Sequence, residues 1–271
     1  MLKHYIFNNT PICYQTNGNI SNTCLLFLHG FGETAHVWDE AAAVFGQNYY
    51  VIVPDIAGTG LSPMPVGEAW SLEYNAAALA AILQYENISS AIVIGHSMGG
   101  YIALAFAARY SALLKGLVLY HSCAQADSDV KKQSRNATIE SIKGYGTRPF
   151  IKNFAGSFFT ESFMSANAPA VDNFIRQAES LSSEFLRAAT LAMRDRPDNR
   201  HLLAQLDCPI GFVAGKQDKF IPYTQTLAEC ILPKRTYIKI IAEAGHASMF
   251  EAPAAGLSAL NRFFSYAMQL N

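Results

Sequence analysis

A chain of 271 residues, 51% hydrophobic and 15% charged, is long enough for one large α/β core, yet no apolar run in it is long enough to span a bilayer as a helix. The formal net charge is -1 and the 20 basic residues are scattered, which excludes the basic stripe of a nucleic-acid binder; no nucleic acid and no membrane are expected as partners. The five cysteines, at 13, 24, 123, 208 and 230, have neither C-x-x-C nor His/Cys metal spacing, so they read as reduced core thiols of a cytoplasmic protein, with no metal expected.

Taken in chain order, the opening M-L-K-H-Y-I-F-N-N-T-P has no apolar h-region and no small-residue cleavage site, so a signal peptide is not expected. Residues 3–7 and 11–15 suit an antiparallel edge hairpin. Apolar runs at 24–28, 50–53, 91–94, 117–120, 210–214 and 237–241 have the character of strands buried on both faces. Helical periodicity over 37–45, 72–85, 98–109, 223–231 and 255–268 alternates with most of them, which predicts a mainly parallel sheet with helices on both faces. Between Leu119 and Ile210 the alternation stops over a stretch far longer than the ~15 residues of an ordinary loop. Phenylalanines at 150, 154, 158, 159, 163, 174 and 185 recur there in helix-like blocks, so a helical lid over 122–205 is expected between core segments 1–121 and 206–271. Most of these rings should build the lid's own core, with Phe154, Phe158 and Phe159 proposed to face substrate.

The stretch A-I-V-I-G-H-S-M-G-G at 91–100 carries the sharpest chemical signal. An apolar run leads into Ser97, and helical spacing through Tyr101, Ile102, Leu104, Ala105, Phe106 and Ala108 follows it, which places the serine at a strand-to-helix corner. Glycines two residues to either side complete G-x-S-x-G, where a side chain would clash between the closely approaching strand and helix. In an open α/β sheet, ligands bind beyond the carboxyl ends of the strands. After the run 210–214 comes G-K-Q-D-K-F-I-P, bearing Asp218, and after 237–241 comes A-E-A-G-H-A, bearing His246. Glu243 is the competing acid, three residues before the histidine. His121 and Ser122 follow 117–120 at the same sheet end, where lining the pocket and a structural role are both open.

The order Ser97, Asp218, His246, together with L-H-G-F-G at 28–32, P-D-I-A-G-T-G-L-S at 54–62, G-H-S-M-G-G at 95–100, A-M-R-D-R-P-D at 192–198 and G-H-A at 245–247, resembles the α/β-hydrolase superfamily over nearly the whole chain. The likeness is to its lidded group of esterases, enol-lactonases and peroxidase-like hydrolases. It implies an α/β-hydrolase fold with Ser97 as nucleophile, His246 as base, Asp218 as the acid that orients it, and an oxyanion hole from the backbone N–H groups of Phe31 and Met98. It also implies that Asp55 orders its loop. His29 and His96 are expected to hold loop backbone, and His36 and His201 to lie on the surface or the lid. The resulting expectation is a cofactor-free hydrolase cleaving a small, largely apolar carboxylic ester or lactone through an acyl-enzyme. A carbon-carbon bond hydrolase or lyase on the same framework, or a ligand-binding receptor retaining the triad, are the alternatives. Haloalkane dehalogenases and related epoxide hydrolases carry aspartate where this chain has Ser97.

Overall fold

The computed structural model describes residues 1–270. In chain order these form β1 (Leu2–Phe7), β2 (Thr10–Asn17), β3 (Cys24–Leu28), α1 (Asp39–Phe45), β4 (Tyr50–Pro54), α2 (Leu72–Tyr85), β5 (Ala91–His96), α3 (Met98–Arg109) and β6 (Leu114–Tyr120). Consecutive helices follow, beginning with α4 (Asp129–Tyr145), α5 (Thr147–Phe158), α6 (Glu161–Ala166), α7 (Ala168–Glu179) and α8 (Ser183–Asp195). The chain then gives α9 (Arg200–Gln205), β7 (Ile210–Gly215), α10 (Tyr223–Glu229), β8 (Thr236–Ile241), α11 (Ser248–Glu251) and α12 (Pro253–Gln269).

The eight strands form one sheet in the order β1-β2-β4-β3-β5-β6-β7-β8. The hairpin β1–β2 and the pair β2–β4 are antiparallel, and every other pairing is parallel. The hairpin turns at Asn8 and Asn9, both at positive φ (45° and 62°), the conformation that a two-residue turn needs and that asparagine tolerates. Pleating sorts even the fully buried strands. In β3, Cys24, Leu26 and Leu28 face the layer built by α2 and α3, while Leu25 and Phe27 face Trp38, Phe45, Phe263 and Phe264 of the α1 and α12 side.

Two expectations from the pattern change here. The run at 237–241 was expected to be buried on both faces, but β8 is the sheet's edge, paired only with β7, and Ile238, Lys239 and Ile240 are partly to fully exposed. The run at 117–120 begins three residues earlier, because Lys115 at a half-buried position interrupts the apolar signal without interrupting the ladder. The insertion between β6 and β7 folds as helices whose phenylalanines pack together: Phe158 lies stacked 4.5 Å from Phe174 and edge-on 4.9 Å from Phe159. Among the described residues, no helix is long and apolar enough to cross a membrane.

Candidate active site

Strand β5 ends in a corner whose backbone is under strain. Ser97 adopts φ 51°, ψ -114°, a conformation costly for any residue with a Cβ and one that persists only where its surroundings enforce it. The enforcement is visible: Ser97 N–H donates to the Tyr120 carbonyl (3.0 Å), and the Ser97 carbonyl accepts from Gly100 N–H (2.9 Å) and from the Ser122 hydroxyl (2.8 Å). Although Ser97 occupies the N-cap of α3, its side chain caps nothing, which leaves Oγ free for another partner. The flanking glycine is sterically obligatory, since a Cβ on Gly99 would sit 2.5 Å from the Leu28 carbonyl oxygen and 2.6 Å from that of His29. Gly99→Ala is therefore expected to destabilise the fold by about 1–3 kcal/mol, the usual cost of overpacking. A denaturant midpoint equal to wild type would show that the corner has slack after all.

The free Oγ lies 2.8 Å from His246 Nε2, and His246 Nδ1 lies 2.8 Å from Asp218 Oδ2. A carboxylate only accepts, so Nδ1–H donates to Asp218, and Nε2 of the neutral ring is left to accept the serine proton. Asp218 is held from its other side, where Oδ1 accepts the N–H groups of Phe220 (2.8 Å) and Ile221 (2.9 Å). Burial alone would raise the Asp218 carboxyl, but the facing His246 outweighs it and holds the group well below the ordinary carboxylate range. Glu243, the competing acid, is exposed and outside this chain of hydrogen bonds.

His121 does not line the cavity. It is fully buried behind Asp218, with Nδ1 3.4 Å from Asp218 Oδ2 and accepting from Gly215 N–H (3.2 Å), while Nε2 is 2.7 Å from the Ser248 hydroxyl. Burial lowers its pKa to about 4, against the opposing pull of Asp218, so the ring is neutral near pH 7. Of the two roles open to it from the sequence, substrate contact and structural support, the buried position behind Asp218 fits the structural one. Phe158 and Phe159, expected to face substrate, are corrected to packing positions. Both are buried in the cluster with Phe174, and Phe158 stands edge-on to the His246 ring at 5.5 Å. Phe154, by contrast, lines a cavity of about 150 Å³ together with Ser97, His246, Phe31, Phe150 and Phe220.

The loop after β3 carries a second buried network. His96 Nδ1 faces Glu33 Oε2 at 2.8 Å and His96 Nε2 faces the His246 carbonyl at 2.9 Å. Two acceptors require both nitrogens to donate, so this ring is an imidazolium; burial opposes that charge, and the Glu33 carboxylate more than restores it. Glu33 also accepts from Gly30 N–H, which fixes the backbone next to Phe31. His29 donates through Nδ1 to the Gly30 carbonyl (2.9 Å) and accepts through Nε2 from Ile56 N–H (3.1 Å). Asp55 accepts from Ala35 N–H and Leu61 N–H, each at 2.9 Å, and so ties two loops together. His36 and His201 are exposed. Among the described residues, the N–H groups of Phe31 and Met98 have no protein acceptor.

Two supporting residues, Glu33 and Glu251, carried no signal in the sequence, whereas Ser122 was marked by its place after the run 117–120. Glu33 joins the nearby Gly30 N–H to the distant His96 ring, and Ser122 donates to the Ser97 carbonyl; Glu251 accepts from Thr160 N–H (2.6 Å), Gly245 N–H (2.8 Å) and Ala247 N–H (3.2 Å), bracketing His246. Among the described residues, the one trio whose donor atoms approach as metal ligands would, His121, Asp218 and His246, lies within 4.8 Å, and its atoms are already committed to one another and to Gly215.

A family model described as the alpha/beta hydrolase fold matches residues 23–253. Among curated proteins the chain is similar to "Lipase 1" of Psychrobacter immobilis, 30% identical over 248 residues, covering 88% of this chain and 76% of the lipase. It is also similar to "3-oxoadipate enol-lactonase 2" of Acinetobacter baylyi, 24% identical over 242 residues, covering 89% of this chain and 88% of the enol-lactonase. Among solved structures, a malate-bound thermophilic esterase from Thermogutta terrifontis superposes with a TM-score of 0.91 at 25% identity, covering 98% of this chain and 99% of the esterase. With most of its length matched by the family model and its sheet superposing on that esterase, this chain belongs to the α/β-hydrolase family.

Proposed function

We propose that the protein is a serine hydrolase that cleaves a small carboxylic ester or lactone through an acyl-enzyme on Ser97. The observation that carries this is the continuous chain Ser97 Oγ, His246, Asp218, with both links at 2.8 Å and the serine opening on a cavity. His246 takes the hydroxyl proton as Oγ attacks the carbonyl carbon, and returns it to the leaving alkoxide. Asp218 keeps the ring in the tautomer that can accept. The oxyanion is received by the unengaged N–H groups of Phe31 and Met98, with Met98 at the N-terminus of α3, where the helix dipole has the favourable sign. Water then attacks the acyl-enzyme with His246 again as base. No cofactor enters this scheme.

Residues 122–205 act as the lid of this enzyme, between core segments 1–121 and 206–271. The cavity is below the ~300–1,000 Å³ of drug-sized ligand sites, which favours a small substrate, and its Phe31, Phe150, Phe154 and Phe220 walls suit an apolar body. The direct test is a fluorophosphonate probe followed by peptide mass spectrometry, with a panel of esters, thioesters and lactones assayed in parallel. An adduct on Ser97 and turnover of at least one substrate class are expected; a folded protein with no adduct and no turnover would defeat the proposal.

The revised placement of the aromatic rings makes a separable prediction. Phe154→Ala is expected to shift acyl-chain preference toward longer esters by roughly 10- to 200-fold per methylene, since one methylene in an apolar pocket is worth ~1–3 kcal/mol. Phe158→Ala should instead slow all esters together, because its ring packs on His246 and not on the cavity. Chain-length profiles of kcat/KM for both variants decide; matching profiles would remove Phe154 from the substrate wall.

A further inference from the structure

The cavity at Ser97 has two kinds of wall. Besides the phenylalanines it is lined by Lys131 and Arg135, one turn apart on α4. Arg135 is held by its Nε–H, which donates to Asp127 Oδ2 at 3.1 Å, and among the described residues its two terminal nitrogens have no acceptor. Lys131 donates one Nζ–H to the Phe220 carbonyl at 3.0 Å, leaving two donors without a protein partner. Burial pulls the Lys131 pKa down, against the attraction of Asp127.

Neighbouring acids do not cancel these charges. Asp127 is fully buried and its other oxygen accepts from Arg196 Nη1 at 2.7 Å, so one carboxylate serves two guanidinium groups. Arg196 is spent elsewhere as well, donating to the Met193 and Gln125 carbonyls and lying 4.0 Å over the Tyr101 ring. Glu229, the remaining acid of this corner, points at the backbone N–H groups of Ala124 (2.8 Å) and Gln125 (3.0 Å), and burial raises its pKa. Three cations therefore face two carboxylates, and the surplus sits on the two side chains that open into the cavity. Cationic donors partly removed from water, with unfilled hydrogen-bond capacity, are costly unless an anion completes them.

We infer that the substrate carries a free carboxylate, bound in this cavity by Arg135 and Lys131, so that the enzyme acts on short hemiesters or carboxylated lactones. A planar carboxylate matches the terminal fork of a guanidinium whose third nitrogen is already anchored, and Lys131 supplies a second point charge. This assignment rests on the serine-hydrolase function proposed above and adds one anionic end to the apolar body expected from the aromatic residues.

The test compares methyl hemiesters of succinic, glutaric and adipic acid with the corresponding methyl esters in which the free acid is a primary amide, which keeps shape and removes charge. Wild type is expected to prefer the best hemiester over its amide by at least about tenfold in kcat/KM, and this ratio should fall by roughly ten- to hundredfold in Arg135→Gln and in Lys131→Gln, the scale of a charge-assisted hydrogen bond. A wild-type ratio near one, or a ratio unchanged in both variants, overturns the assignment. Because Arg135 also braces Asp127, Lys131→Gln provides the variant that leaves that ion pair in place. A second readout is independent of chemistry: Ser97→Ala protein is titrated calorimetrically with glutarate and with glutaramide. Binding of glutarate alone supports the carboxylate site even if fluorophosphonate fails to label Ser97 and the hydrolase function falls; equal binding of both, or of neither, defeats the carboxylate site even if Ser97 is labelled.

Discussion

Ser97→Ala is expected to lower kcat for every ester or lactone substrate by about 10⁶-fold, the scale seen when the nucleophile of a serine hydrolase is removed. The loss should be chemical and not structural. Among the described residues the Ser97 side chain makes its only hydrogen bond to His246, and it caps no helix, so deleting its oxygen opens no core cavity and releases no backbone partner. The backbone tells a second story at the same position. At φ 51° an alanine keeps the strain that serine had, whereas a glycine relieves it. Ser97→Gly is therefore expected to be equally inactive yet more stable than Ser97→Ala, by about 1 kcal/mol or slightly more. Steady-state kinetics, fluorophosphonate labelling and paired denaturant titrations check both parts. Retained turnover in folded Ser97→Ala would move the chemistry away from this serine, and equal stability of the two variants would mean the corner is not strained.

The parts of this molecule that local chemistry specifies were legible in the chain. Strands β3, β4, β5 and β7 are short apolar runs because both faces of a parallel sheet are covered, and the corner at Ser97 announces itself by a change of period bracketed with glycine. Asp218 and His246 could be placed because strand ends are predictable, and the loops after β7 and β8 then converge on the end of β5. What depended on long-range pairing was not legible. The apolar run of β8 does not say that no ninth strand covers it. Phe154, Phe158 and Phe159 are alike in sequence, and only the turn of α5 and its end decide that the first reaches the cavity while the others pack on Phe174. Glu33 looks like one more surface acid until His96, 63 residues on, is found against it. Lys131 and Arg135 were indistinguishable from scattered basic residues, because their significance comes from Asp127 and from the cavity that the fold closes around them.

Asp218→Asn separates the orienting acid from a mere structural carboxylate. In the wild type, Oδ1 accepts from the N–H groups of Phe220 and Ile221, and Oδ2 accepts from His246 Nδ1–H. An asparagine has one acceptor oxygen and one NH₂ group, and the two backbone donors claim the oxygen. The NH₂ group is then forced toward His246 Nδ1, which must become the acceptor, so the ring proton shifts to Nε2 and Ser97 has no base. A loss in kcat on the order of 10⁴ is expected, the size measured for the equivalent change in a well-studied serine protease. Binding should change far less, since Asp218 is buried behind His246 and does not line the cavity. Glu243→Gln, made at an exposed position outside the hydrogen-bonded chain, should stay within about twofold of wild type, as surface changes away from such features usually do. Both variants are compared on one ester after circular dichroism has established folding. The sharper check is the proton itself: in Asp218→Asn the His246 ring nitrogens should exchange their protonation roles in ¹⁵N spectra. A folded Asp218→Asn enzyme with near-normal kcat, or a severe loss in Glu243→Gln, would assign the acid elsewhere.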